Sequence, residues 1–261
     1  MISSNNIVKI QFKPKIRIDN TMDEKLKRAF KDLNNGNFVL VYDKDGREEE
    51  VDLICLADKI SPQHVYHLRH DAGGLICIAM HASIAKILGL PFMTEVYSKT
   101  KKEYPIFNKI SRGEVCPYGD RPSFSITINH TNTYTGITDI DRALTIKEFG
   151  LLGSKIFENG LINESYKDLF SSNFRAPGHV HLLIAHENLL ESRMGHTELS
   201  VTLAHMGGLT PVSVLCEMLD KENGKALSIN KAKEYAMKNN LVMIEGNEIL
   251  DAFKNFNKGQ E

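Results

Sequence analysis

The sequence predicts a single α+β domain, a mixed β-sheet covered by helices in a three-layer arrangement. Apolar runs of strand length interleave with capped helical segments along the whole chain. No internal repeat or low-complexity tract interrupts them. A chain of 261 residues suits one large domain, burying about 70 to 75% of its unfolded surface.

Taken in order, residues 1–20 read as an N-terminal arm or an added edge strand around Ile10, with the domain proper at 21–261. Thr21-Met22-Asp23-Glu24 has capping-box spacing, and Leu26, Phe30 and Leu33 recur at helical intervals before Gly36, so a first helix is marked at both ends. Residues 38–42 and 53–57 are strand-like runs flanking the charged stretch 46–52. Ser61-Pro62 caps a helix carrying Val65 and Leu68, which ends near Gly73-Gly74. Residues 75–80 are apolar throughout and predict a strand buried on both faces. A short helix, Ala82–Leu88, stops at Gly89. Across 97–122 the pattern dissolves into Lys, Pro, Gly and Ser and predicts a long mobile segment. Residues 123–128 alternate as a strand, and Thr145-Ile146-Lys147-Glu148 repeats the capping-box spacing to open a helix reaching about Asn159. After a polar stretch, 180–185 is a strand, 195–206 a helix and Val212–Glu217 a strand. A turn at Asn223-Gly224, a helix over 230–238, a short strand over 241–244 and a terminal helix complete the chain.

With 32 basic and 33 acidic residues the net charge is -1, so no overall field draws nucleic acid or a membrane surface, and any anion must be held by local groups. No run approaches the length needed to cross a bilayer, and the first twenty residues lack a continuous apolar region; a cytoplasmic protein is expected. Cys55, Cys77, Cys116 and Cys216 show no C-x-x-C pairing, and three of them lie in apolar strand-like runs, so neither disulfides nor a structural zinc are expected.

Two stretches carry chemistry. Arg47-Glu48-Glu49-Glu50-Val51-Asp52 sets four carboxylates within six positions, a density that a strand-to-strand connection does not need. A solvated hairpin tip is the competing reading. Arg193-Met194-Gly195-His196-Thr197-Glu198 lies where an irregular segment enters a helix. Backbone N–H groups, the Thr197 hydroxyl and a guanidinium converge there, which suits a phosphate, and Gly195 lets the backbone approach it; an ordinary cap with a surface arginine is the alternative. His196 inside that anion site can ligate a divalent ion, with the carboxylates of 47–52 as partners. Mg²⁺ keeps waters and takes ligands from substrate, and imidazole also suits Mn²⁺. Phosphate cradle, hard cation and surplus carboxylates together suggest proton abstraction beside a carbonyl of a phosphorylated sugar.

These residues resemble a known family. Arg47-Glu48-x-Glu50-x-Asp52, the Asp71–Cys77 stretch, the Thr135–Arg142 stretch, Arg175-Ala-Pro-Gly-His179, Arg193-x-Gly-His-Thr-Glu198 and Cys216-Glu217 are similar, in order, to the signature segments of 3,4-dihydroxy-2-butanone 4-phosphate synthase of riboflavin biosynthesis, and most like its single-function archaeal form. The resemblance implies conversion of ribulose 5-phosphate to 3,4-dihydroxy-2-butanone 4-phosphate and formate, with Mg²⁺ or Mn²⁺, in a homodimer whose sites lie at the subunit interface. It implies that Glu48 and His196 hold the metal, and that Arg193, Gly195 and Thr197 receive the phosphate. Arg47, Asp52 and Glu217 contact the sugar hydroxyls, with Glu50 and Cys77 close by, and Thr135, Asp141 and His179 reach in from the neighbouring subunit. Glu49, Val51 and Met194 depart from the family pattern, and Glu49 adds negative charge beside the metal.

His64, His67 and His70 share a helical face without an acidic partner in register and read as surface residues; His81, His130, His181, His186 and His205 read as structural. Another metal-dependent sugar-phosphate isomerase or aldolase, or a non-catalytic binding protein retaining the fold, uses the same residue types, and release of formate separates the lyase from both.

Overall fold

The computed structural model of the protein describes residues 23–111, 116, 119–159 and 164–258, so the arm at 1–20 lies outside them. Helix α1 (Glu24–Asn34) buries Leu26, Ala29, Phe30 and Leu33, and its cap is the Asp23 carboxylate, which accepts from the Lys25 N–H at 2.6 Å. Thr21, the expected cap, is outside the described residues. Strands β1 (Val39–Tyr42) and β2 (Val51–Leu56) form an antiparallel hairpin. β2 begins before its apolar run because Val51 and Asp52 extend the ladder opposite Tyr42 and Val41. Helix α2 (Pro62–His67) starts from a capping box of Ser61 and His64 and passes into a π-helical turn, Leu68–Ala72, ended by Gly73 at φ +94°.

Next come β3 (Cys77–Met80), α3 (Ala82–Leu88), α4 (Met93–Lys99), α5 (Phe107–Ile110), β4 (Phe124–His130), α6 (Asp139–Asn159) and α7 (Ser165–Asn173). The chain finishes with β5 (Phe174–Ile184), α8 (His196–Met206), β6 (Val212–Glu217), α9 (Ile229–Lys238), β7 (Val242–Glu245) and α10 (Gly246–Lys258).

Among the described residues the strands make one mixed sheet, ordered β4-β5-β3-β6-β2-β1-β7. The β5–β3 and β1–β7 pairs are parallel and the others antiparallel. Alternation along each strand feeds two cores. Leu40, Leu53, Cys55, Ile78 and Val214 face Ile146, Phe149 and Leu152 of α6, while Val39, Val41, Ile54, Ala79 and Leu215 face α1, α8 and α10. This is the expected three-layer arrangement. Helix α8 is buried on every side, which explains the run of apolar and small residues over 199–204.

Several elements differ from expectation. β5 starts six residues before 180, and β3 is Cys77–Met80 with Leu75 exposed, so the expected strand buried over all of 75–80 is shorter. Helix α6 begins six residues before Thr145, capped by the Thr138 hydroxyl, which accepts from the Asp141 N–H at 3.1 Å. Thr145 is buried inside the helix; its hydroxyl donates to the Asp141 carbonyl at 3.0 Å and accepts from the His130 N–H at 2.9 Å, so a side chain bonding back to the helix had mimicked cap spacing. The polar stretch before Phe174 contains α7, whose half-buried stripe of Tyr166, Leu169 and Phe170 is too short to stand out. Within 97–122, α4 and α5 pack through Tyr97 and Phe107, with ring centroids 4.6 Å apart; 112–115 and 117–118 lie outside the described residues.

The histidines expected to be structural include one that titrates with folding. His81 caps α3, its ring accepting from the Ser83 N–H at 3.1 Å, with the His205 ring 5.8 Å away. Burial, then His205, lowers its pKa to about 4. The folded state therefore binds fewer protons than the unfolded chain between about pH 4 and 6.5, and stability falls as pH drops through that window. Between pH 7 and 5 the loss from this group is about 2 kcal/mol. Urea unfolding should show it in the wild type and not in His81→Asn, which keeps a capping oxygen without the titration; equal pH slopes for both chains would refute the assignment.

Candidate active site

The site is built where β1 ends, β2 begins and α8 starts. Asp43, directly after β1, is fully buried and gathers the charged loop around itself. Its carboxylate accepts from the Glu48 N–H at 3.0 Å, the Glu50 N–H at 3.1 Å and Arg47 Nη1 at 3.0 Å. The loop is thus a folded cradle rather than a solvated tip. Glu49 is the exception: it takes φ +58°, is exposed, and its carboxylate accepts from the Gly46 N–H at 2.8 Å. Its charge turns to solvent and back onto its own turn, away from the cluster the family comparison placed it beside.

Helix α8 brings the second half. Gly195 is its cap, with no side chain bonding the first turn. A Cβ there would run into the Arg193 guanidinium and stand 2.9 Å from Arg47 Nη2, so only glycine lets both guanidinium groups close over the helix N-terminus. Arg193 is oriented by an ion pair with the buried Glu198 carboxylate, which also accepts from the His186 N–H at 2.9 Å. Thr197 is buried in the same turn.

His196 is where the halves meet. Its Nε2 donates to the Glu50 carbonyl at 3.1 Å, which turns Nδ1 toward Glu48 Oε2 at 3.2 Å. Ligand atoms of Asp43, Glu48 and His196 all lie within 4.8 Å of one another, a separation that one cation can bridge, and no other such three-residue group occurs among the described residues. One imidazole with carboxylates is a donor set for Mg²⁺ or Mn²⁺ rather than for a softer ion. Arg47 closes the cluster, with Nη1 2.6 Å from Glu48 Oε2.

Behind it stands Asp52, whose buried carboxylate oxygens have no hydrogen-bond partner among the described residues; Oδ1 lies 3.7 Å from His196 Nε2. Burial raises its pKa, repulsion from Glu217, Glu50 and Glu48 adds to that, and His196 opposes it. Burial works against the His196 charge, but Asp52, Glu48 and Asp43 outweigh it and hold that imidazole above its ordinary range. Glu50 is likewise raised, by burial and then by Glu48 and Glu217. Asp52 and Glu50 therefore hold a proton more readily than an ordinary carboxylate does. Strand pairing sets Glu217 opposite Asp52, and the Leu75 N–H donates to Glu217 Oε2 at 2.7 Å. Cys77 pairs with Leu215 on the neighbouring strand and is buried, which pushes its thiol well above the usual range.

The remaining predicted residues stand apart. Asp141 accepts from the Thr135 and Gly136 N–H groups at 3.1 and 2.8 Å, and His179 is held by Asn129, whose Oδ1 accepts from the His179 N–H at 2.8 Å. Both lie toward the β4–β5 edge, with β3 and β6 between β5 and β2, about 14 Å at usual strand spacing. His67 and His70 do have an acidic partner, contrary to expectation: each Nδ1 meets Asp71 at 2.8 Å. Asp43, Glu198 and Asp120, which bonds Arg47 and is discussed below, belong to the site though sequence reasoning gave them no role there.

The geometry fits a class, enzymes that use a divalent cation on a small anionic substrate, because it joins a candidate cation site on an acidic hairpin to two guanidiniums at a helix start. Comparison with known proteins narrows it. The family model of 3,4-dihydroxy-2-butanone 4-phosphate synthase matches residues 27–252, and the chain belongs to that family. It is 41% identical over 231 residues to the 3,4-dihydroxy-2-butanone 4-phosphate synthase of Methanothermobacter thermautotrophicus, covering 88% of this chain and 96% of the relative. Against the enzyme of the same name from Methanosarcina mazei it is 44% identical over 232 residues, covering 88% and 92%. A crystal structure of 3,4-dihydroxy-2-butanone 4-phosphate synthase in complex with two magnesium ions superposes with a TM-score of 0.67 at 24% identity, covering 90% of this chain and 99% of the other, and shares its fold.

Proposed function

We propose that the protein is a lyase that converts D-ribulose 5-phosphate to 3,4-dihydroxy-2-butanone 4-phosphate and formate, a step of riboflavin biosynthesis. The observation that carries this reading is the 3.2 Å approach of His196 Nδ1 to Glu48 Oε2, with Asp43 alongside. Family membership supplies the reaction to which that cluster is put.

Glu48 and His196, with Asp43 within reach, are the residues that would hold the Mg²⁺ or Mn²⁺. When bound, the ion supplies Lewis-acid polarisation of substrate oxygens. Arg193, Gly195 and Thr197 receive the phosphate at the start of α8, where helix dipole and guanidinium act together. Arg47, Asp52 and Glu217 take the sugar hydroxyls, and the burial of Asp52 keeps solvent from its proton. Asp52 and Glu50 exchange protons through enolisation, dehydration, skeletal shift and hydrolytic loss of formate, with His196 held at the cation cluster and Cys77 behind them. Purified protein given ribulose 5-phosphate and Mg²⁺ is expected to release formate and to stop when EDTA is added. An isomerised sugar without formate, or no product at all, overturns the proposal.

We also propose that the enzyme works in the cytoplasm as a homodimer, with Thr135, Asp141 and His179 completing the site of the partner. Their distance from the Glu48–His196 cluster within one chain supports this reading. Mixing His179→Ala chains with His196→Ala chains should restore part of the formate release that each lacks alone, because hybrid dimers carry one complete site. No recovery after subunit exchange, verified by tagged-chain pulldown, counts against shared sites.

A further inference from the structure

Two cationic side chains converge over Gly195, and a carboxylate of the protein itself sits between them. Asp120 Oδ2 is 2.9 Å from Arg47 Nε, 2.8 Å from Arg47 Nη2 and 3.7 Å from Arg193 Nε. The Arg47 side chain is only 4% exposed, so this contact is made in a water-poor setting where a charge-assisted bond is strong. Asp120 and Gly119 are each tied to Cys116: the Asp120 carbonyl accepts from the Cys116 N–H at 2.7 Å, and the Cys116 carbonyl accepts from the Gly119 N–H at 2.8 Å. Asp43 and Glu48 also bond Arg47, and Glu198 bonds Arg193, with Asp43 and Glu198 fully enclosed. Among the described residues Asp120 is the carboxylate that contacts both guanidiniums.

We propose that Asp120 is an internal stand-in for phosphate, an autoinhibitory contact that fills the anion seat formed by Arg47, Arg193 and the start of α8 until a phosphorylated ligand displaces it. This rests on the phosphate assignment made above and adds Arg47 to it, because the guanidinium that was given the sugar hydroxyls also closes over Gly195 beside Arg193. A carboxylate carries one negative charge and two acceptor oxygens, and a phosphate monoester carries nearly two charges and three, so the ligand wins the exchange while paying for the displacement. The apparent affinity for any anion is reduced by the fraction of molecules in which Asp120 holds the seat. The same exchange run backwards helps expel a phosphorylated product.

The test is calorimetric titration of inorganic phosphate into the EDTA-treated full-length chain. If Asp120 fills the seat about nine-tenths of the time, Asp120→Asn binds phosphate about tenfold more tightly than wild type. Asp120→Ser, which also removes the charge, is measured beside it, so that failure of one variant to fold does not decide the matter. Glu49→Gln controls for a general field effect, because it removes an exposed charge of the same loop that touches neither guanidinium; it should shift affinity less than about twofold. The gain at Asp120 should also persist from 50 to 300 mM NaCl, about the range over which a long-range field is screened. Unchanged or weaker phosphate binding in both Asp120 variants, or a gain that disappears with salt or is matched by Glu49→Gln, overturns the proposal. Formate release by the wild type is scored separately: if it is intact when the phosphate result fails, Asp120 is the error, and if it is absent the functional reading falls with it.

Discussion

Glu48→Gln is expected to lower formate release from ribulose 5-phosphate by about a thousandfold while leaving the fold intact, the loss typical when a main electrostatic contact of a transition state is removed. Glutamine keeps the shape of the side chain and can still lie against Arg47 and His196, which Glu48 Oε2 meets at 2.6 and 3.2 Å. What it lacks is the formal charge that makes the Asp43–Glu48–His196 group attractive to a divalent ion. The affinity for Mn²⁺, followed by electron paramagnetic resonance of the free ion, should fall with the activity, and the urea midpoint should stay near that of the wild type. A variant that retains a tenth of the wild-type rate removes Glu48 from the centre of the chemistry.

Asp43→Ala is expected to be costly in both stability and rate. The substitution leaves the buried Glu48 and Glu50 N–H groups without their acceptor and takes one counter-charge from Arg47. Removing one partner of such a buried charged network costs about 3 kcal/mol. Because the same three bonds shape the loop that carries Glu48 and Glu50, formate release should fall at least about a hundredfold, the scale on which ångström-level misplacement acts. Urea unfolding and the formate assay measure the two effects on one preparation. Full activity with an unchanged midpoint shows that the loop holds its shape without Asp43.

The legibility of the site divides along the line between local and tertiary information. The strand at Cys77–Met80, Val212–Glu217 and the start of α8 could be read because apolar continuity and a glycine-marked entry are written into consecutive residues. His196 could be paired with the carboxylates of 47–52 because the charge density of one stretch has no local use and the other offers an imidazole in an anion site; the family resemblance singled out Glu48 among them. Asp43 could not be recognised: an aspartate three residues before Gly46 reads as an ordinary turn former, and only the folded hairpin shows it fully enclosed. Asp120 was hidden for a related reason, since its partners lie 73 residues away in the chain and it sits in a stretch without periodicity. Thr145 misled because a hydroxyl bonding backwards inside a helix has the same sequence spacing as one that starts it.

His196 is the first residue of a helix enclosed on all sides, not a passenger on a surface loop. Leu199, Val201 and Leu203, which anchor that helix, cannot give way without dissolving the middle of the molecule. On warming, the imidazole therefore keeps its station until the whole architecture melts, and heat inactivation has no gentle onset driven by this element. The candidate centre and the keystone of the fold share one fate, so a substitution in this helix is felt twice over.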